Sequence, residues 1–96
     1  MIDVQSHRAP DENGYYKNKN IKMSVCDLGT GSGCIIITIL KFYKKFSGFG
    51  IDISNDAIQV ARKNSKKHLL EGRLTLINND WNCTKEKFDI IVSNPP

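Results

Sequence analysis

The glycine-rich segment at residues 27–33 constrains the fold more than any other part of the chain. It reads DLGTGSG, with three glycines at alternate positions. An apolar run, residues 23–28, precedes it, and an isoleucine-rich stretch follows it. Glycine allows a sharp turn and a close approach of the backbone to a ligand. In α/β folds such a turn lies at the carboxyl edge of the sheet, where cofactors bind. The segment therefore predicts a strand, a ligand-binding loop and a helix; the alternative is a tight turn without a ligand.

Apolar patterning predicts four strands, at residues 23–28, 46–52, 73–77 and 88–93. Residues 32–45 are predicted to be a helix, although the β-branched run at 35–39 favours a strand on propensity alone. The glycine turn before this run nevertheless predicts a helix. Ser54 is the predicted N-cap of a second helix, whose expected inward-facing side chains are Ala57, Ile58, Ala61 and either Leu69 or Leu70. Strands that alternate with helices predict a parallel α/β sheet with right-handed crossovers.

The composition predicts one small domain. The chain has 96 residues, of which 40% are hydrophobic, enough for a single core. We expect residues 1–20 to be a polar leader in loop or disordered form, and residues 21–96 to form the folded part. The net charge of +4 is assigned to solvated lysines on helix surfaces in preference to a nucleic acid site. No secretory signal or membrane span is visible, which favours the cytoplasm. The three cysteines lack C-x-x-C spacing, so no metal site is expected.

The spacing of the glycines bears on the ligand. Dinucleotide sites use G-x-G-x-x-G, but here Cys34 stands where the last glycine or alanine is required. The pattern favours S-adenosylmethionine over NAD. Asp27, just before the glycines, could hold the ammonium group of that cofactor directly or through water. The predicted cofactor contacts of this segment are Asp27, Gly29, Thr30, Gly31 and Gly33.

Two further acids lie at the carboxyl ends of predicted strands. Asp52 ends the second strand, where its carboxylate can accept hydrogen bonds from both ribose hydroxyls of an adenosyl group. Its negative charge could instead stabilise the N-terminus of the next helix by interacting with the helix dipole, and both roles can coexist. Ile53 beside it is a further candidate cofactor contact. After the third strand, Asp80 could accept from the adenine amino group and Trp81 could cover the ring, although Trp81 could equally belong to a lid or the core.

The sequence Asn94-Pro95-Pro96 follows the fourth strand and is the candidate catalytic and substrate-binding element. An amide nitrogen is a poor nucleophile because its lone pair is delocalised into the carbonyl. The side-chain oxygen of Asn94 and the backbone oxygen of Pro95 could each accept one N–H of an amide and so present its lone pair for in-line displacement. The alternative is that the two prolines only end the strand.

Together these elements resemble the HemK/PrmC family of release factor glutamine methyltransferases. The similarity covers residue 25 to the end of the chain and rests on DLGTGSGCI, GIDIS, DW and FDIIVSNPP. It implies a Rossmann-like class I methyltransferase fold with the sheet order 3-2-1-4 and flanking helices. It also implies methylation of the glutamine in the Gly-Gly-Gln loop of a peptide chain release factor, with S-adenosyl-L-methionine as cofactor. By the same resemblance, Asp80 and Trp81 border adenine, and Asn94, Pro95 and Pro96 hold the substrate amide.

The sequence departs from the family after Pro96. The family continues with an aromatic residue, usually tyrosine, and with further strands, and it has a helical N-terminal domain that residues 1–20 do not resemble. We therefore expect a partial domain with little activity alone and an exposed edge at residues 90–92. A complementary chain is a candidate partner. Two other functions remain open: an N-methyltransferase for exocyclic amines of nucleic acids, and a non-catalytic remnant that binds the cofactor.

Overall fold

A computed structural model describes residues 3–6, as backbone, together with residues 21–80 and 87–93. Seven elements occur in the order β1 (Asp3–Ser6), β2 (Ser24–Leu28), α1 (Cys34–Phe42), β3 (Ser47–Asp52), α2 (Asn55–Lys67), β4 (Leu74–Asn78) and β5 (Ile90–Ser93). The four predicted strands and both predicted helices are present, and their ends differ from the predictions by at most three residues.

The strands form one sheet in the order β1-β5-β2-β3-β4. The strands β5, β2, β3 and β4 run parallel to their neighbours, so the predicted order 3-2-1-4 is confirmed for the four predicted strands. Leu28 of β2 lies opposite Ile51 of β3 and Ser93 of β5. The carboxyl ends of the parallel strands therefore meet at one edge of the sheet, where an α/β fold places its ligand.

β1 was not predicted. It lies within residues 1–20, for which we expected a loop, and it pairs antiparallel with β5, with Asp3 opposite Ser93 and Ser6 opposite Ile90. A four-residue segment with one apolar residue, Val4, shows no strand pattern by itself. The hydrogen bonds that hold this strand come from β5. The pairing also covers the outer edge of β5, which we expected to be exposed.

The two helices confirm the local signals that precede them. α1 forms despite its β-branched run, and it begins at Cys34 because Gly33 is left-handed, with φ 81°. Ser54 caps α2 by accepting a hydrogen bond from the backbone N–H of Ala57 at 3.2 Å. After α2 the chain turns through Leu69, at φ 59° and 88% exposed, and it is Leu70 that enters the core.

The core lies between the sheet and the two helices. Its buried side chains include Val25, Ile36, Leu40, Phe46, Leu74, Ile90 and Val92. A side chain at Gly48 would meet Ile36 at 3.0 Å, so the missing Cβ lets α1 lie close to β3. Neither helix in the described part of the chain is long and apolar enough to cross a membrane.

Candidate functional site

A loop of residues 29–33 crosses the carboxyl edge between β2 and α1. Gly29, Gly31 and Gly33 all have positive φ, at 72°, 58° and 81°, a conformation that costs other residues energy. The N–H groups of Gly29 and Thr30 donate to the carbonyl of Ile51 at 2.8 and 3.0 Å. The loop is therefore folded over the end of β3, at the carboxyl edge where the glycine pattern predicts it.

Asp27 is buried beneath this loop, with 1% of its surface exposed. The hydroxyl of Thr30 donates to its Oδ2 at 2.9 Å, whereas its Oδ1 is buried without a hydrogen-bond partner in the described structure. Burial raises the pKa of Asp27 from 3.8 to about 6; the hydrogen bond from Thr30 opposes this rise and the charge of Asp52 adds to it. An unsatisfied carboxylate oxygen is costly in a protein interior, so this site favours a cationic or hydrogen-bond-donating group.

Asp52 connects the glycine loop to the second helix. Its Oδ2 accepts from the N–H of Gly31 at 2.9 Å, and its Oδ1 accepts from the N–H of Ser54 at 2.9 Å. These bonds place the carboxylate between the loop and the start of α2. Because a carboxylate has about four lone-pair directions, each oxygen keeps capacity for a further donor, such as a sugar hydroxyl.

Two asparagines that the sequence analysis missed hold this geometry. The side-chain amide of Asn78 donates to the carbonyls of Asp52 at 3.1 Å and Ile53 at 3.0 Å. That of Asn64 donates to the carbonyl of Ser32 at 2.9 Å. Asn78 lies opposite Asp52 in the sheet, but this register is visible only in the fold. Both are positioning residues, because they fix the backbone beside the candidate contacts.

The remaining predicted contacts lie at the same edge or outside the described residues. Ile53 follows β3 with 75% of its surface exposed, and exposed Asp80 follows β4, with its N–H donating to Oδ1 of Asn79 at 2.7 Å. Trp81 and residues 94–96 lie outside the described part of the chain. Ser93, which precedes Asn94, lies opposite Leu28 and so next to the glycine loop.

A cleft of about 350 Å³ lies elsewhere, between α2 and β4. Its lining includes Arg62, Lys63, Lys66, Glu71 and Leu76. None of the predicted cofactor or substrate residues lines it, so the hydrogen bonds at the carboxyl edge define the candidate site.

The fold and the glycine loop define a Rossmann-like methyltransferase of class I. The family model described as "Methyltransferase domain" matches residues 19–96. The chain belongs to this methyltransferase family.

Named relatives agree with the resemblance to HemK/PrmC. The chain is 50% identical over 80 residues to a bifunctional methyltransferase of Rickettsia bellii, covering 80% of this chain and 14% of the relative. It is 48% identical to a ribosomal protein uL3 glutamine methyltransferase of Francisella tularensis, covering 76% and 24%. It is 45% identical to a release factor glutamine methyltransferase of Agrobacterium fabrum, covering 75% and 25%. The chain thus spans about a seventh to a quarter of the length of these relatives.

A solved structure supports the same fold. An RNA methyltransferase from Salinibacter ruber in complex with S-adenosyl-L-homocysteine superposes with a TM-score of 0.58 and 31% identity, covering 60% of this chain and 37% of that one.

Proposed function

We propose that this chain is the cofactor-binding part of an S-adenosylmethionine-dependent methyltransferase that acts on the glutamine side-chain amide of a peptide chain release factor. The observation that carries the proposal is the glycine loop fixed at 2.9 Å to Asp52, above a buried carboxylate with one unsatisfied oxygen. We take the methyltransferase domain to span residues 21–96, and the cytoplasm, where translation terminates, to be its location.

The described residues fit S-adenosyl-L-methionine. The unsatisfied oxygen of Asp27 suits an ammonium group, directly or through water. Gly29, Thr30, Gly31 and Gly33 would follow the methionyl part of the cofactor, and Asp52 would accept hydrogen bonds from the ribose. Ile53, Asp80 and Trp81 would surround adenine. When bound, the cofactor supplies a methyl group on a sulfonium centre.

Residues 94–96, which follow β5, would bind the substrate amide and promote methyl transfer. The Asn94 side-chain oxygen and the Pro95 backbone oxygen would each accept one N–H of the glutamine amide, with Pro96 shaping the same pocket. This arrangement orients the nitrogen lone pair toward the methyl group and reduces its delocalisation. The excess proton leaves to water after transfer, so no strong base is needed.

The name of the Agrobacterium relative favours a release factor and its Gly-Gly-Gln loop as the substrate. The Francisella relative is named for the same amide chemistry on a ribosomal protein. A second candidate function is methylation of an exocyclic amine in a nucleic acid, which the similarity to an RNA methyltransferase favours. We propose that a complementary chain or segment completes the pocket, because this chain spans about a quarter of the length of the Agrobacterium relative.

Cofactor binding is the first test of this proposal. We expect Asp52→Ala to weaken binding of S-adenosylhomocysteine by roughly 1 to 3 kcal/mol, as measured by isothermal titration calorimetry, because charge-assisted hydrogen bonds are lost. The matched control is Asp56→Ala, which removes an exposed acid from the first turn of α2. Equal affinities for wild type and Asp52→Ala would remove Asp52 from the site.

Substrate choice is tested in a fusion in which residues 1–96 are followed by the rest of the Agrobacterium relative. We expect methyl transfer to a Gly-Gly-Gln release factor and none to a DNA or RNA oligonucleotide offered beside it. In this fusion Asn94→Ala should abolish transfer without changing cofactor affinity. Turnover retained by the Asn94→Ala variant would contradict the acceptor role, and preferential methylation of the oligonucleotide would favour the second candidate.

A further inference from the structure

We propose that binding of a cationic cofactor at the glycine loop is coupled to the loss of a proton from Asp27, so that affinity for the cofactor depends on pH. This inference rests on the proposed function, and it concerns the protonation state of the site before and after binding.

The geometry around Asp27 disfavours an ionised carboxylate in the unliganded chain. The side chain is 1% exposed, and the Thr30 hydroxyl is the hydrogen-bond donor that satisfies Oδ2. Its second oxygen has less than 1 Å² of exposed surface and no partner. A buried charge with half of its acceptor capacity unused is costly. A proton on that oxygen removes the charge and lowers the cost.

The charges around Asp27 also disfavour an ionised carboxylate. On one side β3 contributes Asp52, whose negative charge disfavours a second carboxylate nearby. On the other side β5 contributes Val92, opposite Asp27, and uncharged Ser93. The glycine loop contributes Thr30, and α1 begins with Cys34.

None of the groups that shift the pKa of Asp27 in the described chain is a cation. Lys41 lies in the last turn of α1, and Lys66 and Lys67 lie in the last turn of α2. The first turn of α2 holds the acid Asp56. Further along α2, Asn64 contacts Ser32 of the glycine loop, and the neighbouring cations Arg62 and Lys63 have exposed side chains.

The consequence for binding follows from the pKa of Asp27, which burial raises to about 6. Near pH 5 the unliganded side chain is mainly protonated. An ammonium or sulfonium group within about 4 to 6 Å favours the carboxylate and lowers the pKa by about 1 to 3 units. Binding below pH 6 then requires the O–H bond of the carboxyl to break and the proton to pass to solvent. Linkage predicts that affinity falls about five- to tenfold from pH 7 to pH 5.

The test is a calorimetric titration of the 96-residue chain with S-adenosylhomocysteine, which carries the ammonium group. Comparing two buffers with different ionisation enthalpies gives the number of protons released. We expect about 0.4 to 0.9 proton at pH 5 and about 0.1 at pH 7. The matched probe is 5′-methylthioadenosine, which has the same adenosyl group without the ammonium; its binding should release no proton at either pH.

Two variants test whether the proton released on binding comes from Asp27. Asp27→Asn, checked for folding by circular dichroism, should bind S-adenosylhomocysteine with no proton release and a flat pH profile. Asp56→Asn, at an exposed position of α2, should behave as wild type. Binding by wild type without proton release at pH 5 overturns the coupling and leaves the proposed function intact. Proton release retained in folded Asp27→Asn also overturns it. No binding at any pH overturns both proposals. The wild-type proton count needs no variant, so the coupling is tested even if Asp27→Asn fails to fold.

Discussion

Replacing Arg73 with alanine should destabilise the chain more than any exposed substitution, because this residue holds the end of α1. Its Nη1 donates to the carbonyls of Tyr43 at 3.2 Å, Lys44 at 2.7 Å and Phe46 at 3.0 Å. Its Nη2 donates to the carbonyl of Leu40, whose side chain is fully buried. The last carbonyls of a helix have no partner within the helix, and a cation is also favourable at this end of the macrodipole.

The magnitude follows from these contacts. A hydrogen bond to a charged group contributes about 1.5 to 3 kcal/mol. The three bonds of Nη1 share two hydrogens, and Arg73 is half-buried, so we count about two full bonds and expect a loss of about 3 kcal/mol. Typical domains have about 5 to 15 kcal/mol in total. For a chain of this size, that loss lowers Tm by about 12 to 24 °C.

Urea denaturation followed by circular dichroism measures this loss. Arg73→Lys keeps the charge but has a single nitrogen that cannot replace the guanidinium fork, so we expect an intermediate loss. Arg62→Ala, at an exposed position of α2, is the matched control and should change stability by less than about 0.5 kcal/mol. A free energy of unfolding for Arg73→Ala within 1 kcal/mol of wild type would refute the assigned role.

Two further predictions concern the site. The pKa of Asp27 is raised to about 6 in the folded chain, so the folded state binds more protons than the unfolded state between about pH 4 and 6, and stability falls as pH rises through this window. Asp27→Asn should therefore stabilise the unliganded chain by up to about 3 kcal/mol at pH 7 and by much less at pH 4; equal gains at both pH values in urea denaturation would contradict this. A side chain at Gly50 would lie 2.8 Å from Leu76 and 2.9 Å from the hydroxyl of Thr30. Gly50→Ala should therefore cost about 1 to 3 kcal/mol and weaken S-adenosylhomocysteine binding. Gly72→Ala, where a side chain meets open space, is the control, and unchanged stability and affinity in Gly50→Ala would show that the loop adapts.

Local signals in the sequence determine most of the secondary structure. The glycine triplet, the Ser54 cap and the apolar runs predict both helices and four strands, because turn chemistry, capping and periodicity act over a few residues. The same signals predict that the acid at position 52 ends β3 at the edge where the glycine loop lies. Both are found there, joined by the bond from Gly31 to Asp52.

The tertiary structure alone decides the features that depend on distant partners. β1 exists because β5 presents an edge to pair with, and four residues without a strand pattern cannot reveal this. The contacts of Arg73 with the end of α1 and of Asn78 with the backbone at Asp52 join residues more than 20 positions apart. The unsatisfied oxygen of Asp27 likewise results from burial by a loop and two neighbouring strands. The sequence by itself shows an acid before three glycines, and only the fold removes that acid from water and raises its pKa.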